Sequence, residues 1–242
     1  MPSLWLKREA GGALVAAMLR LSFLLFLGAA VMTAVAAPPP PELEAALQNL
    51  QTDAPRGWAF TQTSEGAGRS RVERFEPIGP GPTRWRLLQV DGREPTPAEQ
   101  ETYRKQQVLR EGAVSTPNVK EQIDRDSGEL ISDDGERARW RFRLQPAPGD
   151  SWGPYMAATF TLHRPTGTIE RVELASLAPF SPMFLTQVEE AKTTLRYSLP
   201  DDDRPPLLEE IQVHVRGRAW FFRSLDSDLL VRYSDYRYVA KR

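Results

Sequence analysis

The sequence predicts a mostly β (α+β) domain: a strongly curved antiparallel sheet forming a half-open or closed β-barrel, with an N-terminal amphipathic helix and a short helical insertion. Three observations carry this. Strand-sized runs with period-two alternation recur along the chain between turn signals. Only two stretches show the helical period, and one of them is sparsely apolar. Aromatic side chains fall on the apolar side of the strands in greater number than two helices can cover, so the sheet must curl on itself.

In chain order, the 242 residues begin with a segment that reads as an address. Lys7, Arg8 and Arg20 form a positive region, Leu21 to Val35 a short apolar one, and Ala34-Val35-Ala36 a small-residue cleavage signal. The expectation is a signal peptide over residues 1–36, cut after Ala36, then one domain over 37–242 in the periplasm. The alternative is a single membrane anchor stretched back past Arg20, although the apolar run is short for a span of ~20 residues. Cleavage would remove Lys7, Arg8, Arg20 and Glu9, taking 31 basic and 32 acidic residues to 28 and 31. A balance so near neutral excludes the strongly basic surface of a nucleic-acid binder. The chain has no cysteine, so no disulfide, thiol chemistry or cysteine lipidation enters, and an ordinary core must hold the fold.

Pro38 to Pro41 is a stiff spacer. Leu43, Ala46, Leu47 and Leu50 then share one helical face, which needs a sheet to lie on. Trp58, Phe60 and Gln62 alternate in a first strand, Arg71, Glu73 and Phe75 in a second, and RWRLLQV makes a third, with Trp85, Leu87 and Gln89 on one side and Leu88 and Val90 on the other. Asp91-Gly92 turns the chain. Thr96, Pro97 and Glu99 then form a capping box for an exposed helix whose apolar residues are only Ala98, Tyr103 and Val108. Arg110 to Glu136 reads as a solvated linker. Its DRDSGE run resembles half of a calcium loop but meets Leu130 and Ile131 where ligands should continue.

The strongest strand signal runs from Arg137 to Leu177. Trp140, Phe142 and Leu144 alternate with Arg139, Arg141 and Arg143, then Met156, Ala158, Phe160 and Leu162 with Thr159, Thr161 and His163. Arg164-Pro165-Thr166-Gly167 closes a hairpin, and Val172 and Leu174 follow in the next strand. The loop from Ser176 to Thr186 carries Phe180, Met183, Phe184 and Leu185, too many large apolar side chains for a solvated loop. It is expected either to plug an open end of the sheet or to act as a lid. Thr193 to Leu199, Ile211 to Val215 with Trp220 to Phe222 continuing the run, and Leu229 to Tyr233 supply the remaining strands, with Tyr236 and Tyr238 as an aromatic tail.

Nothing in the sequence reads as catalytic, metal-binding or cofactor-binding. His163 and His214 sit on polar sides of their strands without zinc spacing. No nucleophile elbow occurs, Gly66 and Gly68 belong to a hairpin turn, and Glu189-Glu190 and Glu209-Glu210 point to opposite faces of a strand. The expectation is a protein that is not an enzyme. The side chains expected to line an apolar ligand site are Trp58, Phe60, Trp85, Trp140, Phe142, Phe160, Tyr197 and Phe221, with Phe180, Met183 and Phe184 from the loop. Arg139, Arg141 and Arg143 could dock an acidic partner or lipid headgroups, unless Glu170, Glu173, Asp126 and Glu209 neutralise them.

An exported chain with an N-terminal amphipathic helix, long antiparallel strands, a helical insertion after RWRLLQVDG and an aromatic concave face resembles the LolA/LolB-type lipoprotein-carrier superfamily. The likeness is architectural and spans most of residues 37–242. It implies an incomplete β-barrel with helices lidding an apolar groove that takes acyl chains. The long polar segment before Arg137 and the additional C-terminal strands depart from a minimal carrier, and the missing cysteine excludes the anchored acceptor type. Two readings follow: a periplasmic carrier of a lipid or acylated protein, in transient contact with a membrane or an envelope protein, and an interaction or envelope-stress sensor module using the arginine face.

Overall fold

The computed structural model describes residues 39–51, 55–79, 81–111, 119–145, 150–220 and 223–239; the expected signal segment and Phe221 lie outside them. The strands are β1 (Trp58–Gly66), β2 (Arg69–Phe75), β3 (Trp85–Val90), β4 (Glu129–Asp133), β5 (Arg137–Arg143), β6 (Met156–His163), β7 (Thr168–Ser176), β8 (Thr186–Tyr197), β9 (Leu208–Ala219), β10 (Arg223–Ser224) and β11 (Ser227–Tyr238). All eleven form one sheet in the order β3-β2-β1-β11-β9-β8-β7-β6-β5-β4, with β10 beside β9. Every pairing is antiparallel. The N-terminal three-stranded meander docks on the last strand, leaving β3 and β4 as edges, so the sheet is curved like a half-open barrel but not closed.

Local chemistry sets the turns. Between β6 and β7, Arg164–Thr166 make one 3-10 turn and Gly167 takes the left-handed position at φ 63°, as the RPTG run predicts. After β3, Asp91 and Gly92 turn the chain with φ of 50° and 75°, and Asp91 Oδ1 accepts the Ser70 amide at 2.8 Å.

Two helices meet the sheet in different ways. Helix α1 (Pro41–Asn49) buries Leu43, Ala46 and Leu47, and Leu50 follows them into the core. Its acidic first turn is tied by Glu42 to Arg164 and by Glu44 to Arg125, while Lys120 donates to the carbonyls of Gln48 and Leu50 at 3.1 and 2.9 Å. Helix α2 (Pro97–Glu111) opens with the expected capping box: Glu99 N–H donates to Thr96 Oγ1 at 3.3 Å and Thr96 N–H to Glu99 Oε2 at 2.7 Å. Arg93 forks onto the same carboxylate and, with the Thr96 bonds, holds it at a pKa of about 2.

Four expectations are corrected. The stretch from Arg110 to Glu136 is not simply a solvated linker: α3 (Val119–Gln122) puts Val119 into the core, Ile123 follows, and β4 pairs with β5. As an edge strand β4 leaves Leu130 and Ile131 exposed, so it lacks the alternation that would have revealed it. In β3 a register irregularity opposite Val72/Glu73 puts Val90, rather than Gln89, on the face of Trp85 and Leu87. Trp220 lies past β9 in the turn, with φ 54°. His163 is buried rather than a surface residue, its Nδ1 2.8 Å from Thr166 Oγ1.

Candidate ligand groove

Residues directly opposite in a ladder point to the same face, so one row can be followed across nine strands. Trp140 pairs with Phe160, Phe160 with Val172, Val172 with Leu195 and Leu195 with Ile211. Ile211 then pairs with Val231, Val231 with Ser64, Ser64 with Arg71 and Arg71 with Val90. The row passes from aromatic to aliphatic to polar, and its burial changes with it.

At the aromatic end the face is sealed. Phe142, Phe160, Leu162 and Val172 are 0% exposed beneath α1, with Trp140, Ala138, Val119, Ile123 and Tyr197 completing one cluster. Trp140, Phe142 and Phe160, expected as ligand contacts, are interior packing. Phe180 blocks one end of the sheet, stacking on Tyr155 at 4.7 Å and meeting Trp152 edge-on at 5.3 Å. Of the two expectations for its loop, Phe180 follows the plug. Met183 and Phe184 do not cover the face at all; they stand out in solvent.

Beyond Val172 the burial of the same face is uneven: Val231 in the row is buried, while the residues before it are less covered. Leu195 and Ile211, with Thr193 and Val213 in the neighbouring row, are partly accessible, and Leu229 beside Val213 is exposed. This aliphatic strip lies between the α1-covered strands and β1–β3. A cleft of about 340 Å³ opens at its mouth, lined by Ser64, Arg71, Val90 and Leu229 from this face together with the β1–β2 turn. A larger, more open recess of about 820 Å³ wraps the same turn, reaching His214 and Asp228. Its polar rim suits an acyl chain less than the strip does. A third hollow of about 330 Å³ lies beside the end of α1, against Ile169, Tyr197 and Pro206.

The far end of the strip is closed by rings. Phe60 lies 5.0 Å from Phe75, 5.7 Å from Trp85, 5.6 Å from Tyr233 and 5.5 Å from Tyr236. Trp58 meets Tyr238 edge-on at 5.5 Å. Tyr236 donates to the Leu208 carbonyl at 2.6 Å, and burial pushes its hydroxyl pKa well up. Trp58, Phe60 and Trp85 therefore belong to this wall, with Tyr233 the ring nearest the strip.

One polar group on this face stands out. Glu73, opposite Gln62, is 2% exposed; Gln62 Nε2 donates to its Oε2 at 3.3 Å, and Oε1 has no hydrogen-bond partner among the described residues. A buried carboxylate oxygen without a donor is costly. Next to it in β2, Arg71 lies 5.9 Å from the ring of Tyr103 on α2.

The convex face holds a net of ion pairs. Arg141 meets Glu129 at 2.7 Å, Lys192 meets Glu173 at 3.0 Å, and Arg232 lies between Glu65 and Glu210. His214 Nδ1 lies 2.6 Å from Asp228 Oδ1, and that contact, with Arg216, holds the Asp228 carboxyl below its ordinary pKa. Arg139 and Arg143 are exposed and make no ion pair with a described residue. Among the described residues no group of His, Asp and Glu is placed to hold a metal, and no helix is long and apolar enough to cross a membrane.

Sequence reasoning missed Ile211, Val213, Leu229 and Glu73. The aliphatic residues carried the ordinary alternation of a core strand, and only their neighbours show that little covers them.

No family model matches the chain, and no curated protein matches it. Among solved structures, a DUF1329 family protein from Desulfovibrio piger ATCC 29098 aligns over 81% of this chain and 90% of its own at 9% identity, with a TM-score of 0.32. A dehydratase, GphF Dehydratase 1, aligns over 81% of each chain at 12% identity, with a TM-score of 0.18. Both likenesses are too slight to assign an activity.

Proposed function

We propose that this is an exported, non-catalytic carrier that takes an apolar or acylated ligand along the aliphatic strip of β8, β9 and β11. The observation that carries the reading is the change in burial along one continuous row. Phe160 and Val172 are sealed, while Leu195 and Ile211, two strands further on, are not. Apolar surface left partly open in a concave face is where an acyl chain gains most from leaving water. The wall around Phe60 would limit how far a chain could run, and Glu73 offers an acceptor to a ligand N–H or ammonium group. The architectural resemblance to LolA/LolB-type carriers points the same way, as does the expected signal peptide.

Native mass spectrometry of protein recovered from its own cells tests the proposal. The expected result is a co-purifying lipid or acyl mass that is lost when Val213→Trp fills the strip and kept in a variant altered elsewhere. Recovery of the unliganded mass alone, together with no uptake of a fluorescent fatty acid by the purified protein, would overturn it.

A further inference from the structure

The β8–β9 ribbon outruns β7 and β11, and the two-residue β10 pairs with β9 beside its end. The ribbon's last ladder pair with β7 is Lys192 opposite Ala175, and with β11 it is Val215 opposite Ser227. The two strands nevertheless go on pairing with each other to Thr186 opposite Ala219, an overhang of roughly 15–20 Å at strand rise. The base of this overhang is tightly built. Phe180 and Val188 exchange backbone hydrogen bonds of 2.9 and 2.8 Å. Opposite Val188, Gly217 leaves no room for a side chain, since a Cβ there would lie 2.4 Å from the Gln187 carbonyl oxygen.

The tip is different. Met183 is 61% exposed, Phe184 90% and Trp220 63%. The two loops that carry them are joined by a 2.8 Å bond from Trp220 N–H to the Leu185 carbonyl. Leu185 and Trp220 both adopt positive φ, 62° and 54°, a conformation that large side chains avoid. A firm base therefore holds a strained tip with three large apolar side chains in water.

We propose that this tip docks on a phospholipid bilayer, with Met183, Phe184 and Trp220 entering the interfacial zone. The patch is small and projecting, unlike the face of about 800 Å² per partner that a stable protein interface needs. Tryptophan is favoured at the boundary of headgroup and acyl chain. The charges nearby also suit lipid headgroups. Arg218 is balanced by Glu189 at 2.8 Å, and Asp226 is turned back onto the Gly217 amide at 3.2 Å. Arg223 on β10 is exposed and makes no ion pair with a described residue, leaving one cation beside the tip. This inference stands apart from the ligand groove and holds whether or not that groove is occupied.

Vesicle flotation tests it, using purified protein whose N-terminus has been read by mass spectrometry. Vesicles of phosphatidylcholine are compared with and without phosphatidylglycerol. Wild-type protein is expected to float with both, and more with phosphatidylglycerol. The Met183→Ser/Phe184→Ser/Trp220→Ser variant should partition at least about tenfold less, each large side chain being worth a substantial part of that factor. Phe184→Ser alone removes a side chain that supports no core, so it should lower flotation several-fold with an unchanged melting temperature. Arg223→Gln should reduce only the increment due to phosphatidylglycerol. Equal flotation of wild type and both serine variants would overturn the proposal, as would failure of the wild type to float. So would a wild-type dimer that the serine changes convert to monomer, because the tip would then be a self-association face.

Discussion

The two helices that lie on this sheet make an instructive pair. Helix α1 inserts Leu43, Ala46 and Leu47, with Leu50 just past its end, into a cluster of aromatic and aliphatic side chains, and ion pairs at its start and a lysine at its end fix it in place. Helix α2 is longer and better capped, yet among its described side chains only Tyr103 and Gln107 are buried. Its ion pairs, Arg93–Glu99, Arg104–Glu101 and Lys105–Glu101, hold it to itself and to its approach rather than to the sheet. A helix can thus be locally well specified and still be weakly attached, because capping acts on its own backbone whereas burial of an apolar face ties it to everything else. The face beneath α1 is sealed, whereas Leu195, Ile211 and Val213 further along the sheet stay partly accessible.

The sharpest way to break that comparison is to truncate a side chain in each region. Phe160→Ala, beneath α1, should cost about 3–5 kcal/mol in urea denaturation. Leu229→Ala, in the open strip, should cost well under half as much, and equal losses would mean that both regions are sealed. Gly217→Ala should cost about 1–3 kcal/mol by forcing the β8–β9 ribbon apart, with the loss confined to amides around Val188 in hydrogen exchange. Glu73→Met should raise stability by about 1 kcal/mol, since a buried carboxylate oxygen without a donor is replaced by an apolar group of similar volume. Lower stability instead would show that Glu73 is held by more than Gln62.

The smallest effects belong to α2. Thr96→Ala removes the side-chain cap and should cost about 1 kcal/mol locally, read as faster exchange at the start of the helix with little change in the global midpoint. The pH dependence has a definite sign. The folded pKa of Glu99, about 2, lies below its ordinary value, so its contribution is complete above the unfolded carboxylate range near pH ~4.3 and fades as pH falls toward 2. The protection of amides in the first turn of α2, taken relative to the intrinsic exchange rate at each pH, should be the same at pH 5 as at pH 7 and should fall only below about pH 4.

Much of this architecture is legible in the amino-acid sequence alone. Period-two alternation places β1, β2, β5, β6, β7, β9 and β11, because half-buried strands announce themselves by that pattern. The RPTG turn and the Thr96–Glu99 box can be read because their chemistry is contained within four residues. Edge strand β4 is not legible, for its partner covers one side only and its own side chains need not alternate. Alternation also puts the aromatic residues on the correct side of their strands, but it says nothing about what lies above a face. Phe160 and Phe60 therefore look alike in the sequence, although one is roofed by α1 and the other belongs to a wall of rings.

By itself the sequence determined most of the elements, several of their turns and the need for a bent sheet, since each follows from neighbours a few residues apart and from the amount of apolar surface to be covered. Only the tertiary structure decided which part of the concave face is sealed, where Glu73 is buried and which apolar side chains are left in water. Those outcomes depend on which distant segment comes to rest on which strand, a property of long-range packing that no local pattern encodes.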